Sequence, residues 1–273
     1  MKRRLQRFLQ IVLMLFVFAM MLPNLKAQTI GSQIRIGADS TISYWNGTTW
    51  IAVAPGLPGQ SLQFTNGIPT WIGNPTPITD IDGNVYDIVK IGTQVWMKQN
   101  LNVTHYRNGE AIPNVTDDGA WVGLTTGAYC NYNNDANNAT TYGRLYNWYT
   151  VADARNFCPT GWHVPSDVEW TTLTTYLGGE GIAGGKLKEI GTNHWNSPNT
   201  GATNESGFSA LPGGSRISSN GTFGNVGFYV SWWASTEYTS AYSIYRYMGW
   251  SSNSIYNYYN LNNDGLSVRC LKD

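Results

Sequence analysis

The sequence predicts an α+β domain that follows a small all-β module. Two segments, residues 142–154 and 166–177, show helical periodicity, and the segments after residue 207 alternate as strands do. Residues 28–77 hold only short alternating runs separated by turn dipeptides. In a chain of 273 residues, 14% aromatic and 12% charged, the apolar area is sufficient for a core. Wholesale disorder is therefore excluded.

Residues 1–27 have the pattern of a secretory signal peptide. Four basic residues precede an apolar run over residues 9–22, and Ala27 offers a cleavage position. The run is shorter than the ~20 residues that span a bilayer, and no cysteine follows the cleavage position for lipid attachment. We therefore expect a protein that is secreted or held at the outer cell surface, without membrane insertion after cleavage.

The charge balance argues against polyanionic partners. The chain has 17 basic and 17 acidic residues, and five of the basic residues lie in the predicted signal peptide. Cleavage would leave 12 basic against 17 acidic residues, a net charge of about −5, with the charges scattered along the chain. Such a protein lacks the basic footprint that binds nucleic acid or an anionic membrane.

Residues 28–77 are predicted to form short hairpins, with turns at Asn46-Gly47, at two Pro-Gly pairs and at Asn66-Gly67. The segment is similar to the small β modules that act as stalks in bacterial surface proteins and fibres. The segment has few large aliphatic residues and would bury only a small hydrophobic core. We therefore expect the module to be stabilised by packing against the next domain or against its own copies in a homo-oligomer. The Asn-Pro-Thr-Pro run at residues 74–77 is the predicted linker.

The second predicted helix, over residues 166–177, has clearer start and stop signals than the first. Ser166 stands three residues before Glu169 in a capping-box pattern, and Gly178 and Gly179 supply a stop. The strands are expected over residues 228–233, 242–250, 255–261 and 266–271, which makes the C-terminal half an antiparallel sheet.

Six sequence blocks carry a specific resemblance. They are residues 79–86 (TDIDGNVY), 91–101 (IGTQVWMKQNL), 143–149 (GRLYNWY), 158–170 (CPTGWHVPSDVEW), 207–214 (GFSALPGG) and 265–270 (GLSVRC). In their order and spacing they resemble the Fibrobacter succinogenes major paralogous domain family. That family is similar to the C-type-lectin-like superfamily, which also contains formylglycine-generating enzymes and proteins diversified by retroelements.

The resemblance assigns residues 78–273 a C-type-lectin-like fold. It implies two helices beside a twisted antiparallel sheet, pairing of the first and last strands, and a loop-rich binding face. It also implies a disulfide between Cys158 and Cys270, since lectin-like folds commonly bridge the first-helix region to the last strand. Cys130 is then left over, either buried or paired between chains. The family implies no activity of its own.

No catalytic motif is present. The three histidines, His105, His163 and His194, have no metal-ligand spacing, and we interpret His163 as a structural hydrogen-bonding residue. The Asn-rich loops at residues 131–138 and 262–264 offer oxygen donors but one carboxylate each. We therefore expect no cofactor and no bound metal, with weak calcium binding as the alternative.

The segment 232–264 is crowded with tyrosine, serine and asparagine, a composition that suits recognition of proteins or of sugar rings. Alternation predicts that Ile244 and Met248 face the core, while Arg246 is either a ligand contact or an ion-pair partner. Arg269 is interpreted as structural. The predicted ligand-binding residues are Tyr245, Tyr247, Trp250, Tyr256, Tyr258 and Asn260.

The leading hypothesis is a non-enzymatic secreted or surface protein that binds a glycan or a protein through this face. One alternative is a structural fibre or matrix component that assembles through residues 28–77. Another is a formylglycine-generating type of oxidase, which needs two thiols in an open cleft.

Overall fold

The computed structural model describes residues 34–36, 42–54, 56, 60–65, 68–73 and 75–273. The predicted signal peptide and the turns at Pro55, at residues 58–59 and at residues 66–67 lie outside these ranges. The described chain falls into two compact units, one before Asn74 and one from Pro75 to Asp273. Within the described residues, no helix has the length and apolar character needed to cross a membrane.

The N-terminal unit is built of antiparallel strands. Its members are β1 (Ile34–Ile36), β2 (Ile42–Trp45), β3 (Trp50–Val53), β4 (Ser61–Thr65) and β5 (Ile68–Ile72). Strands β1, β2 and β3 form one sheet, and β4 and β5 form a hairpin. The predicted Asn46-Gly47 turn is confirmed, because the Asn46 side chain accepts the backbone N–H groups of Thr48 and Thr49 at 2.9 and 2.8 Å.

The C-terminal unit is mostly β with five short helices among its described residues. The helices are α1 (Asp118–Val122), α2 (Ala136–Tyr142), α3 (Trp148–Val151), α4 (Asp167–Tyr176) and α5 (Glu180–Leu187), and Tyr132–Asn134 is a 3-10 turn. The first strands are β6 (Ile78–Thr79), β7 (Val85–Tyr86), β8 (Ile88–Ile91), β9 (Gln94–Met97), β10 (Tyr129–Cys130), β11 (Leu145–Tyr146) and β12 (Trp162–His163). The later strands are β13 (Gly213–Arg216), β14 (Phe223–Val226), β15 (Tyr229–Thr239), β16 (Tyr242–Gly249), β17 (Tyr256–Leu261) and β18 (Leu271–Lys272).

The two largest sheets of this unit form its framework. The larger has the order β14-β13-β15-β16-β17, and the smaller has the order β12-β18-β9-β8. Strand β18, almost at the C-terminus, pairs with β9 through Leu271 and Trp96, so an early and the last strand lie side by side. The Cys158–Cys270 disulfide predicted from the resemblance is present, with its Cα atoms 6.1 Å apart.

Buried aromatic rings fill the space between the sheets and α4. Trp170 of α4 lies 4.7 Å from Trp96 and 5.6 Å from Trp232, measured between ring centroids. Phe208 meets Trp232 edge to face at 5.8 Å. All four rings are fully buried, and such tilted contacts are the arrangement that ring quadrupoles favour. This core holds the inner face of β15 and β16. On their outer face Trp233 is also fully buried, whereas Tyr245 and Tyr247 are only partly buried.

The prediction for α4 is confirmed in detail. Ser166 accepts the Glu169 N–H, the Glu169 carboxylate accepts the Ser166 N–H, and these two contacts form the capping box. After the last turn, Gly178 and Gly179 both take φ of +100°, which a residue with a Cβ rarely adopts.

The predicted helix over residues 142–154 is wrong in most of its length. Helix α2 ends at Tyr142, Leu145 and Tyr146 form a strand, and only α3 is helical. Gly143 breaks the pattern with φ of +76°, and a Cβ there would lie 2.7 Å from the Asn100 Cβ. The predicted strand over residues 266–271 is likewise reduced to the short β18, preceded by isolated bridges.

Candidate functional site

A cavity of about 580 Å³ opens on the outer face of the large sheet. Its walls come from β13, β14, β15, β16, β17 and the two turns that follow β13 and β17. The volume lies within the range of about 300–1,000 Å³ that is usual for small-ligand sites. It is the candidate site because it combines aromatic, hydroxyl and carboxylate groups.

Strand alternation places the tyrosines. In β16, Ile244, Arg246 and Met248 point to the core side, as predicted for Ile244 and Met248, so Tyr245 and Tyr247 point to the cavity. Antiparallel register then sets Tyr258 opposite Tyr245 and Tyr256 opposite Tyr247. All four of the tyrosines predicted to bind ligand therefore share one face.

Tyr245 and Tyr247 form the aromatic wall of the cavity. Their ring centroids are 5.6 Å apart with a 26° angle between planes, and Tyr229 of β15 lies 6.5 Å from Tyr247. Burial, with the neighbouring Tyr247 adding to it, raises the pKa of Tyr245 to about 12. The phenol is therefore neutral at physiological pH and both donates and accepts hydrogen bonds.

The remaining wall of the cavity is polar. Its hydroxyl and amide groups belong to Ser215, Ser218, Ser219, Asn225, Ser231 and Asn260. Asn260, another predicted residue, also interacts with the side chain of Asp264. These groups are short, and they offer both donors and acceptors to a ligand.

Asp264 supplies the only carboxylate among the residues that line this cavity. It is 6% exposed and accepts the Ser218 N–H at 2.6 Å. Burial raises its pKa, although the contacts with Ser218 oppose that shift. A buried carboxylate that holds a turn at the cavity wall is suited to accept a ligand hydroxyl.

Arg216 lines the same cavity but is already engaged. Its guanidinium donates to the carbonyl oxygens of Val115 at 2.6 Å, Thr116 at 2.9 Å and Gly221 at 2.7 Å, and to the Asp118 carboxylate at 2.9 Å. The arginine is fully buried. Its role is to hold the turn after β13 against α1, and the Asp118 carboxylate balances its charge.

Trp250, also predicted as a ligand contact, lies outside the cavity lining. It follows β16, meets Phe228 and Tyr229 edge to face at 5.1 and 5.4 Å, and packs against the main core. Tyr256 and Tyr258 lie on the cavity face but beyond its wall, 41% and 56% exposed. Sequence reasoning missed Tyr229 and Ser231, although their alternation with buried Val230 and Trp232 in β15 was a usable signal.

Arg246, whose interpretation was open, and Arg269, interpreted as structural, both have structural contacts. Arg246 is fully buried and pairs with Asp167 and Glu180, each at 2.5 Å, which settles the open alternative in favour of the ion pair. Arg269 is 1% exposed and donates to Asn100 Oδ1 at 2.8 and 3.1 Å. His163 bonds to Asp273 at 2.6 Å and to Glu169 at 3.0 Å, in agreement with the interpretation of a hydrogen-bonding residue.

The asparagine-rich loops have internal partners. Asp135 caps α2 by accepting the Asn137 N–H, and Asn262 Oδ1 accepts the Ser243 hydroxyl. Across the part of the chain that the structure describes, no group of three or more His, Cys, Asp or Glu side chains is placed to hold a metal ion.

The cysteines are all removed from solvent. Cys158 and Cys270 are joined and almost completely buried, and Cys130 is a free, fully buried thiol. Burial raises the pKa of Cys130 to about 12, so the thiolate form is disfavoured at neutral pH.

Comparison with known proteins identifies the family of the C-terminal unit. No curated protein and no solved structure matches the chain. The family model described as the Fibrobacter succinogenes major domain matches residues 89–272, well over half of the chain. The chain belongs to the Fibrobacter succinogenes major domain family.

Proposed function

We propose that this protein is a non-enzymatic, secreted or surface-exposed protein that binds a carbohydrate in the cavity on the large sheet. The observation that carries the proposal is the pairing of an aromatic wall, Tyr245 and Tyr247, with a wall of hydroxyl, amide and carboxylate groups. Sugar rings have an apolar face that packs on tyrosine and a rim of hydroxyls that needs such partners.

The charge of the cavity supports a neutral ligand. Arg216 has its charge balanced by Asp118, which leaves Asp264 as the one carboxylate facing the ligand space. An anionic ligand would meet this carboxylate without a free cation beside it among the lining residues. A concave site of this volume also favours a small or chain-like ligand over a flat protein surface.

The cysteine arrangement supports binding rather than oxidase chemistry. An oxidase of the formylglycine-generating type needs reactive thiols in a cleft, whereas Cys158 and Cys270 are closed into a buried disulfide. A disulfide also suits an oxidising compartment, in line with the proposed signal peptide. The pairing of β9 with β18, and α4 and α5 beside the sheets, support a lectin-like fold.

The test is a glycan array of the purified protein, run with calcium and again with a chelator. We expect selective, saturable binding that Tyr247→Ala lowers by about tenfold or more and that Tyr247→Phe largely retains. The control is Tyr176→Ala, because Tyr176 is 65% exposed on α4, outside the cavity. A blank array with folded protein, or equal loss in both alanine variants, would refute the proposal.

A further inference from the structure

We propose that the ligand is a linear oligosaccharide chain, which continues from the cavity over the edge of the sheet along Tyr256 and Tyr258. This inference rests on the proposed function and specifies its ligand class. It concerns a surface next to the cavity, where two exposed tyrosines stand on the same face as the cavity wall.

The tyrosine rings form a continuous row that is two rings wide and runs from β16 outward to β17. From Tyr247 the row passes to Tyr256 at 4.9 Å, with only 19° between the ring planes. From Tyr245 it passes to Tyr258 at 6.4 Å, edge to face. These are the cross-strand pairs of β16 and β17, so the backbone register fixes the row.

Exposure increases along the row. Tyr245 and Tyr247 are partly buried in the cavity wall, whereas Tyr256 and Tyr258 are 41% and 56% exposed. Strand β17 is the last strand of its sheet, so no further strand of the described chain follows Tyr256 and Tyr258 on that side. On that side the sheet places no further strand in the way of a ligand that extends outward from the cavity.

The uncharged, aromatic and hydroxyl-bearing side chains of the row favour an oligosaccharide as the ligand. The four tyrosines and the neighbouring Asn260 and Ser252 are uncharged, and the Ser252 hydroxyl lies 3.2 Å from the Tyr256 hydroxyl. A sugar chain that crosses from β16 to β17 therefore meets aromatic ring surface and a phenol hydroxyl on both strands. A monosaccharide held in the cavity would leave the outer rings without a role.

A peptide that adds a strand to β17 is the competing occupant. It would bind through the backbone of the edge strand, with the tyrosines as secondary contacts. The continuity of the rings with the hydroxyl-lined cavity favours the oligosaccharide, since strand addition would not need the cavity.

The experiment is calorimetric titration with a length series of one oligosaccharide, chosen from the array, from the monosaccharide upward. For the wild type we expect affinity to rise with chain length and then level off. Tyr258→Ala and Tyr256→Ala should each lower the affinity for long chains by about three- to tenfold and leave the affinity for the shortest ligand unchanged. Tyr176→Ala is the matched control and should change neither.

The outcomes separate this inference from the proposed function. Affinity that is independent of length, with Tyr247→Ala still impaired, overturns the extended chain but not the cavity. Equal losses for all lengths in Tyr256→Ala and Tyr258→Ala also overturn it, because those rings would then act on the cavity itself. If no sugar of any length binds and an extended peptide does, both proposals are wrong.

Discussion

Arg246 provides a quantitative test of how the strand behind the cavity is held. Its side chain lies on the opposite face of β16 from Tyr245 and Tyr247 and is fully buried. The guanidinium donates to the Asp167 carboxylate at 2.5 Å, the Thr171 hydroxyl at 2.8 Å and the Glu180 carboxylate at 2.5 Å. One side chain thus ties β16 to the first turns of α4 and α5.

The expected cost of Arg246→Met is about 2–3 kcal/mol in the free energy of unfolding. Methionine keeps much of the apolar stem and removes the charge, and breaking a buried pair from one side costs about 3–5 kcal/mol when the partner stays buried. Here the side chains of Asp167 and Glu180 are 24% and 50% exposed, so water can take over part of their solvation. The estimate therefore falls below that range.

The assay is urea unfolding of Arg246→Met beside Lys186→Met. Lys186 forms an exposed pair with Glu205 at 2.9 Å, with side chains 30% and 54% exposed, and such pairs contribute under about 1 kcal/mol. The same kind of change in a surface pair controls for the loss of a long cationic side chain. Equal destabilisation of the two variants would refute the role assigned to Arg246.

Four further predictions concern titratable groups. Cys130 should resist alkylation in the folded protein and react once in denaturant without reductant, since burial raises its pKa to about 12 and the other two cysteines are joined; labelling of native protein would contradict this. Burial lowers the pKa of His163, but its two carboxylate contacts outweigh this and raise it above 6.5; the urea midpoint should fall as pH rises through the raised value, and His163→Gln should flatten that dependence. Lys188→Met should cost about 3 kcal/mol, because its ammonium bonds to three backbone carbonyls at 2.8 to 3.2 Å, whereas exposed Lys272→Met should be nearly neutral in the same unfolding assay. Sugar binding should weaken as pH falls through the raised pKa of Asp264. If Asp264→Asn showed the same pH dependence of affinity as the wild type, the Asp264 carboxylate would not be the ligand contact.

Local sequence signals predicted the elements whose ends or faces are set by residues close together in the sequence. Helix α4 carries its own start and stop, in the Ser166 and Glu169 capping box and in the glycines at 178 and 179. The alternation of β16 likewise separates Ile244 and Met248 from the tyrosines, because each strand residue faces opposite to its neighbour.

Helix α5 is an element that local signals missed. Its sequence, EGIAGGKL, contains three glycines, which disfavour a helix by roughly 1 kcal/mol each relative to alanine. The structure gives the reason for two of them: a Cβ at Gly184 would lie 2.3 Å from the Ser254 carbonyl oxygen, and one at Gly185 would lie 2.3 Å from that of Gly201. Tertiary contacts therefore select these glycines, and no local rule contains that information.

The sequence predicted only part of the candidate site, because the rest of the site also depends on tertiary contacts. Its tyrosines lie in one sequence segment with strand alternation, so one face collects Tyr245, Tyr247, Tyr256 and Tyr258. The polar wall combines the turn after β13, which Arg216 holds against α1, with side chains of β14, β15 and β17. Contacts between residues about a hundred positions apart are invisible to a local pattern.

Carbohydrate binding in the cavity is tested by a crystal structure of the protein with the tightest-binding oligosaccharide from the array. We expect sugar rings packed against Tyr245 and Tyr247, with a hydroxyl donating to Asp264, and further units over Tyr256 and Tyr258. Sugar bound at another surface, with this cavity filled only by water, would contradict it.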